Sequence, residues 1–160
     1  MSREKQAAIR HGGLTQETPR GRLALWTLDQ GFLVFQIVAH GDKAFVSPIV
    51  AGFERSLRNG TSVQMFVDVG RMTSYDTELR TEVTAALAQQ RKRIGCLHIV
   101  VRSKIVAMGV SVANLALGGI MTIHGDTGPF QHALEGSLAR AKVSGFSPEA
   151  LAHERARRPV

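Results

Sequence analysis

In residues 66–80, FVDVGRMTSYDTELR, the first candidates for chemistry are the two aspartates and the threonine that follows the second of them. Asp68 ends an apolar run, and Asp76 follows eight residues later, directly before Thr77. Two carboxylates can act as general acid and base, but that work needs a pocket and a proton partner, and the sequence displays neither. A hydroxyl at the start of a helix can instead receive a phosphate. The stretch therefore predicts either a site where charge is added and removed or a polar turn that caps a helix.

A phosphate on Thr77 would lie in the first turn of a helix that we predict to begin at about residue 74. That turn has unpaired N–H groups and the positive end of the helix dipole. A phosphate adds about −1.5 to −2 charges at pH 7, so it could abolish the docking of a partner without unfolding the domain. The alternative is that Ser74 or Thr73 is the N-cap and Thr77 only sits in the first turn.

Motifs for other chemistry are absent from the sequence. It contains no G-x-G-x-x-G, no phosphate-binding G-x-x-x-x-G-K-[ST] and no G-x-S-x-G elbow. Its six histidines form no H-x-x-x-H pair, and Cys96 is its one cysteine, so we predict no metal and no cofactor. His40 and His124 end predicted strands, where α/β sheets bind their ligands. An enzyme that uses Asp76, His40 or His124 is therefore an alternative.

The elements that must position these residues follow from hydrophobic periodicity and from Gly and Pro. Apolar runs predict strands at 22–29, 32–40, 62–69, 96–102 and 120–125. Helical spacing predicts helices at 48–58, 74–94, 104–119 and from 128 onward. This order predicts an α/β fold with a mainly parallel five-stranded sheet, an N-terminal antiparallel hairpin and about four helices.

Composition and charge set the domain limits and the broad class. We expect a flexible basic arm over 1–20, one domain over 21–143 and a basic C-terminal helix or tail over 144–160. The formal charge is +7, but aromatics make up only 6% of the chain and no recognition motif is present, so no nucleic-acid partner is predicted. The start has no apolar signal region and no apolar run reaches about 18 residues, so we expect a cytoplasmic protein without a membrane partner.

The predicted helix over 104–119 is apolar around most of its circumference. One side must cover the sheet, and a second apolar side usually marks an interface. Met108, Val112 and Leu115 are the candidate interface residues, and a homo-oligomer is one expected outcome. The alternative is that the N-terminal arm or the C-terminal segment folds over this side.

The spacing in residues 66–80 resembles the signature of STAS domains, the family of the bacterial anti-sigma factor antagonists and stressosome subunits. The signature reads here as Asp68, seven residues (VGRMTSY), then Asp76 and Thr77. HGDKA at 40–44 and LALGGIMTIHGDTGPFQHAL at 115–134 are similar to two further family patterns. The resemblance spans about residues 22–142.

The resemblance implies a non-enzymatic protein-interaction module in bacterial signalling. Thr77 would be the phosphoacceptor, and the switch region would contain Asp68, Ser74, Tyr75 and Asp76. The partner would be an anti-sigma-type kinase, another signalling protein or a second copy of the chain. Glu78 and Leu79 follow Thr77 where many members have Ser and Gly, so the resemblance implies a divergent member. The alternative is a domain of the same fold that binds a small molecule, either a lipid or a nucleotide.

Overall fold

The computed structural model describes residues 13–157, which form one six-stranded sheet whose strands lie in the order of the sequence. The first two strand pairs are antiparallel and the other three are parallel. The predicted mainly parallel sheet with an N-terminal hairpin is therefore confirmed. The strands are β1 (Gly13–Thr18), β2 (Gly21–Leu28), β3 (Phe32–Gly41), β4 (Val63–Tyr75), β5 (Ile94–Val101) and β6 (Met121–His124).

The sixth strand corrects the predicted count of five. Strand β1 lies inside the segment predicted as a flexible arm over 1–20, but its backbone pairs with β2 along its whole length. Its sequence, GLTQET, is short and polar, so it lacks the apolar alternation that marks a half-buried strand. Residues 1–12 of the predicted arm lie outside the described residues.

Five α-helices connect or follow the strands within residues 13–157. The strand predicted at 62–69 corresponds to β4. It is longer than expected, because it continues to Tyr75 and pairs there with the end of β3. The following helix therefore begins at Thr77 instead of about residue 74. The helices are α1 (Val46–Arg58), α2 (Thr77–Gln89), α3 (Lys104–Ala116), α4 (Thr127–Arg140) and α5 (Glu149–Ala156).

Helices α1, α2 and α3 cover one face of the sheet. Alternate strand residues point to opposite faces, so Leu33, Phe35 and Ile37 of β3 share one side. These residues belong to a core cluster that also holds Ile49, Phe53, Leu79, Leu87, Val106 and Val110 from the three helices. Helix α1 fits this position because its apolar residues recur at helical spacing on one side.

Helices α4 and α5 cover the opposite face, so the sheet has helices on both sides. Phe32 and Val34 of β3 and Phe66 of β4 point to this side. They pack with Phe130, Leu134, Leu138 and Leu151 of the two helices. Residues 149–156 of the predicted C-terminal helix or tail form α5.

A buried polar cluster holds α5 against this face. The Asp68 carboxylate is fully buried and lies beside Gln36 in the parallel register of β3 and β4. Gln36 Nε2 donates to Asp68 Oδ2 at 2.9 Å and to the Leu151 carbonyl at 2.9 Å. Arg155 Nε lies 3.0 Å from Asp68 Oδ2, and the Gly70 amide donates to Asp68 Oδ1 at 3.0 Å. The buried charge is thus paired and hydrogen-bonded, as a buried charge must be.

Removing the cation of this pair should destabilise the fold strongly. Arg155→Ala leaves the Asp68 carboxylate buried without its counter-charge, so we expect the free energy of unfolding to fall by about 3 kcal/mol. The measurement is denaturant unfolding followed by circular dichroism. Arg157→Ala is the matched control, because Arg157 pairs with Glu154 at an exposed position and should cost less than about 0.5 kcal/mol. Equal losses in the two variants would contradict the assignment.

Candidate functional site

A serine, a histidine and an aspartate meet where β3 and β4 end. His40 lies directly opposite Ser74 in the parallel register. His40 Nδ1 is 2.7 Å from Ser74 Oγ, and His40 Nε2 is 3.0 Å from Asp76 Oδ1. The imidazole is buried, Asp76 is partly buried and Ser74 is exposed. The three side chains therefore form a continuous hydrogen-bonded chain that opens to solvent at the serine.

Irregular backbone in both strands sets His40 opposite Ser74, because β4 has one residue more than β3 at each register shift. The register between β3 and β4 shifts twice, between Gln36 and Val38 and again between Ala39 and His40. Ala39 has φ of 70°, a left-handed conformation that non-glycine residues rarely adopt. The strand resumes at once, because the His40 amide donates to the Arg20 carbonyl at 3.1 Å. The irregular segment re-aims one side chain, as bulges near sites do.

Asp76 is the N-cap residue of α2, but its carboxylate makes no side-chain cap bond. Its oxygens make hydrogen bonds with other groups. Oδ2 accepts from the Lys43 amide at 2.8 Å, and Oδ1 lies within hydrogen-bond distance of His40 and Arg20. The backbone hydrogen bond from Lys43, then the hydrogen bond with His40, hold the pKa of Asp76 below its usual value. The carboxylate is thus ionised near neutral pH and acts as an acceptor only.

Thr77 is the first residue of α2 and is exposed. Its hydroxyl makes no hydrogen bond within residues 13–157, whereas its carbonyl accepts from the Thr81 hydroxyl at 3.1 Å. The N-cap alternative proposed from the sequence, Ser74 or Thr73, is wrong, because both residues still belong to β4. Thr77 is therefore neither the cap nor part of the core.

The remaining residues of the predicted switch region lie in different surroundings. Asp68 is buried under α5, so it does not share the exposed edge with Thr77. Tyr75 is half-buried and packs against α3, where its hydroxyl would collide with any Cβ placed at Gly109. The structure thus brings Ser74 and Asp76 together and separates Asp68 from them.

The outer side of α3 is exposed and apolar. Ile105, Met108, Val112 and Leu115 are 65%, 70%, 52% and 82% exposed, respectively. Their spacing along the helix places them on one side, while Val106, Val110 and Ala113 face the core. Neither β1 nor the described C-terminal segment covers them. We call these four residues the α3 face.

An apolar cavity of about 110 Å³ lies between the sheet and helices α2 and α3. Arg80 also lines it and contributes a buried Nε that has no hydrogen-bond partner within the described chain. A dry cavity of about 150 Å³ is known to hold a benzene-sized molecule, so this one is smaller than a lipid tail. Its lining includes Val67, Val69, Met72, Tyr75, Val83 and Val110.

The other histidines noted in the sequence form a separate contact. His98 Nδ1 lies 2.9 Å from His124 Nε2, and the His98 ring stacks on Phe66. Burial, then the neighbouring His124, lowers the pKa of His98. His124 therefore does not join His40 in one site. No group of three metal-ligating side chains occurs within residues 13–157.

The sequence did not predict three contacts of the site. They are the pairing of His40 with Ser74, the hydrogen bond from the Lys43 amide to Asp76 and the contact of the Arg20 side chain with Asp76. His40 was noted only because it ends a strand. A regular register between β3 and β4 would not have aligned His40 with Ser74, since the two shifts decide that pairing. Near Lys43, the sequence indicates a turn only through Asp42, whose side chain accepts from the Ala44 amide at 2.8 Å.

Comparisons with known proteins find one informative likeness. The fold is similar to that of an uncharacterized protein from Shewanella loihica PV-4, of the DUF3478 family, with a SpoIIAA-like fold. The match has a TM-score of 0.54 and 14% identity, and it covers 77% of this chain and 98% of that chain. No model of a known protein family and no curated protein matches the chain.

The likeness at this identity shows the fold. The chain has a SpoIIAA-like α/β fold, which is the architecture implied by the sequence resemblance. Within residues 13–157, no helix has the length and apolar content needed to cross a membrane.

The lowered pKa of Asp76 predicts how stability depends on pH. A carboxylate whose pKa is lower in the folded than in the unfolded chain stabilises the fold above its unfolded value, about 3.8. That contribution is lost as pH falls through the lower, folded pKa. Asp76→Asn should therefore unfold more easily than the native chain at pH 7, and the gap should close at low pH. Urea unfolding at several pH values measures this gap.

Asp126→Asn is the matched control for this comparison. Like Asp76, Asp126 is an N-cap residue without a side-chain cap bond, but unlike Asp76 it is exposed. Its gap to the native chain at pH 7 should be smaller than that of Asp76→Asn, because no hydrogen bond to its carboxylate is lost within residues 13–157. A gap for Asp76→Asn that is the same at pH 7 and at pH 2 would show that charge is not the cause.

Proposed function

We propose that the chain is a protein-interaction module in bacterial signalling, similar in role to an anti-sigma factor antagonist. It docks a signalling protein, such as an anti-sigma-type kinase, through the α3 face, or it associates with a second copy through the same residues. A soluble cytoplasmic setting belongs to this proposal. Support comes from the STAS-like fold and from the exposure of the α3 face.

The α3 face is the observation that carries the proposal. Four large apolar side chains on three turns of one helix expose at least half of their surface. Single exposed apolar residues are ordinary, but a contiguous patch of them usually marks a binding surface. The described parts of the chain leave this patch open, and its residues include the predicted Met108, Val112 and Leu115.

Thr77 is the proposed control point of this docking. It opens α2, the helix that packs beside α3, and its hydroxyl is exposed. A phosphate there lies at the positive end of the α2 dipole, so the domain tolerates it. The added negative charge faces whatever partner covers this end of the molecule. Phosphorylation therefore regulates binding without unfolding the domain.

A second candidate is the small-molecule binding domain of the same fold. The apolar cavity and the unpaired Arg80 Nε favour a ligand with an apolar body and an acidic group. The cavity volume of about 110 Å³ limits that ligand to a short one, which is why docking ranks first. A small acid recovered by solvent extraction of the purified chain would favour this candidate.

Charge on the α3 face should weaken binding while leaving the fold intact. Met108→Glu and Leu115→Glu place a carboxylate in an apolar contact, which is costly unless the charge is paired. Self-association, or binding of the partner protein, should fall by at least about tenfold, corresponding to about 1.4 kcal/mol. Analytical ultracentrifugation and a binding titration measure the two cases.

Ala139→Glu is the control, because Ala139 is an exposed residue of α4 on the other side of the sheet. All three variants should melt near the native temperature, since each replaced side chain is exposed. The proposal is wrong if both α3 variants bind as the native chain does, or if Ala139→Glu loses as much binding as they do.

Two substitutions at Thr77 separate a control point from a structural residue. Thr77→Glu imitates the negative charge and should reduce partner binding, while its melting temperature stays near the native value because a carboxylate is favourable at a helix start. Thr77→Ala should bind normally and escape regulation. Since Thr77 is exposed and makes no side-chain bond, Thr77→Ala should change stability by less than about 0.5 kcal/mol.

One binding titration and one thermal melt on each variant are sufficient. A loss of about 1 kcal/mol in Thr77→Ala would indicate a capping role. Unchanged binding in Thr77→Glu would remove Thr77 from the proposal.

A further inference from the structure

When the His40 ring is neutral, the hydrogen-bond chain through it has only one arrangement of protons. Asp76 Oδ1 belongs to an ionised carboxylate, so the contact at 3.0 Å requires the proton on His40 Nε2. His40 Nδ1 then carries a lone pair in the neutral ring. The Ser74 hydroxyl, 2.7 Å away, must donate to that lone pair. The serine proton therefore already points at a base.

The acidic member of this chain is fixed from several sides. The Lys43 amide holds one Asp76 oxygen at 2.8 Å, and Arg20 contacts the other at 3.4 Å. His40 is buried, with its backbone amide bonded to Arg20. A base whose ring is held by an oriented carboxylate is the arrangement that activates a hydroxyl for nucleophilic attack.

We propose that Ser74 is a nucleophile, activated by His40 and positioned by Asp76, that accepts an acyl group from an ester. Ser74 is exposed at the end of β4, so an acyl donor in solution can reach its Oγ. This activity lies beyond the docking function and uses none of the α3 face.

The reaction balances with the groups present. Ser74 Oγ attacks the ester carbonyl carbon as its proton passes to His40 Nδ1. The carbon–oxygen bond to the leaving alcohol then breaks, and His40 returns the proton to that alcohol. In a second step, water attacks the acyl-serine and gives a proton to His40. The carbon–oxygen bond to Ser74 then breaks, His40 returns the proton to Ser74 Oγ, and the acid is released. No oxidant or further reactant is needed.

The developing negative charge on the carbonyl oxygen has donors nearby. Helix α2 begins three residues after Ser74. The Leu79 amide already donates to the Asp76 carbonyl at 3.0 Å, which leaves the amides of Thr77 and Glu78 without a partner within residues 13–157. The Asp76 side chain does not satisfy them, because it bonds His40, Arg20 and Lys43 instead. These amides favour anions through the helix dipole, so they complement the chain of three side chains.

A fluorophosphonate probe tests the nucleophile on the full chain. Attack by Ser74 forms a phosphorus–oxygen bond and releases fluoride, and peptide mass spectrometry then locates the adduct. We expect one adduct, on Ser74, and none on that peptide in Ser74→Ala. Hydrolysis of p-nitrophenyl acetate should fall by about 100-fold in His40→Gln, the usual contribution of a general base.

Ser144→Ala is the matched control, since Ser144 is exposed but has no histidine partner, and it should label like the native chain. An adduct elsewhere, no adduct, or equal hydrolysis by Ser74→Ala would overturn the proposal. None of these results depends on a protein partner, so this proposal and the docking function can fail separately.

Nitrogen-15 NMR of the unmodified chain provides a test that does not rely on variants folding. At the pH of the labelling assay, the shifts of His40 should show Nε2 protonated and Nδ1 unprotonated. The opposite tautomer, or a ring protonated on both nitrogens, would overturn the assignment. Asp76→Asn should disturb that tautomer and slow labelling, while Asp76→Glu should restore part of both. A purely structural aspartate would leave the tautomer and the labelling rate unchanged.

Discussion

The parallel pairing of β3 with β4 fixes both polar centres of the domain. In the middle of the pair, the register sets Gln36 beside Asp68, and the buried carboxylate then requires Arg155 of α5. At the end of the pair, two register shifts set His40 opposite Ser74. One backbone arrangement thus determines where the C-terminal helix docks and which side chains meet at the exposed edge.

The two faces of the sheet have different consequences for binding. On one face, α4 and α5 bury an aromatic cluster around Phe66, and the paired charge of Asp68 makes the position of α5 specific. On the other face, α3 turns Val106 and Val110 inward, and nothing described in the chain covers its outer side. Within residues 13–157, the α3 face therefore stays exposed to solvent.

Much of the fold could be predicted because apolar runs and Gly–Pro punctuation mark its strands and helices directly. The apolar surplus of the helix containing Met108 and Leu115 also predicted an exposed side. Strand β1 escaped prediction because an edge strand pairs through its backbone and needs no apolar pattern. The pairing of His40 with Ser74 depends on register shifts and on the left-handed Ala39, which no local pattern encodes. The burial of Asp68 depends on α5, 87 residues further along the chain at Arg155.

The central claim is that the α3 face is covered by a protein partner in the cell. Hydroxyl-radical footprinting of the tagged chain, in lysate of its native host and as dilute purified protein, tests it most directly. We expect Met108 and Leu115 to be oxidised less in lysate than in dilute solution when both are normalised to Leu14, an exposed residue of the distant edge strand β1. Equal normalised oxidation of Met108 and Leu115 in lysate and in dilute solution would contradict a covered α3 face.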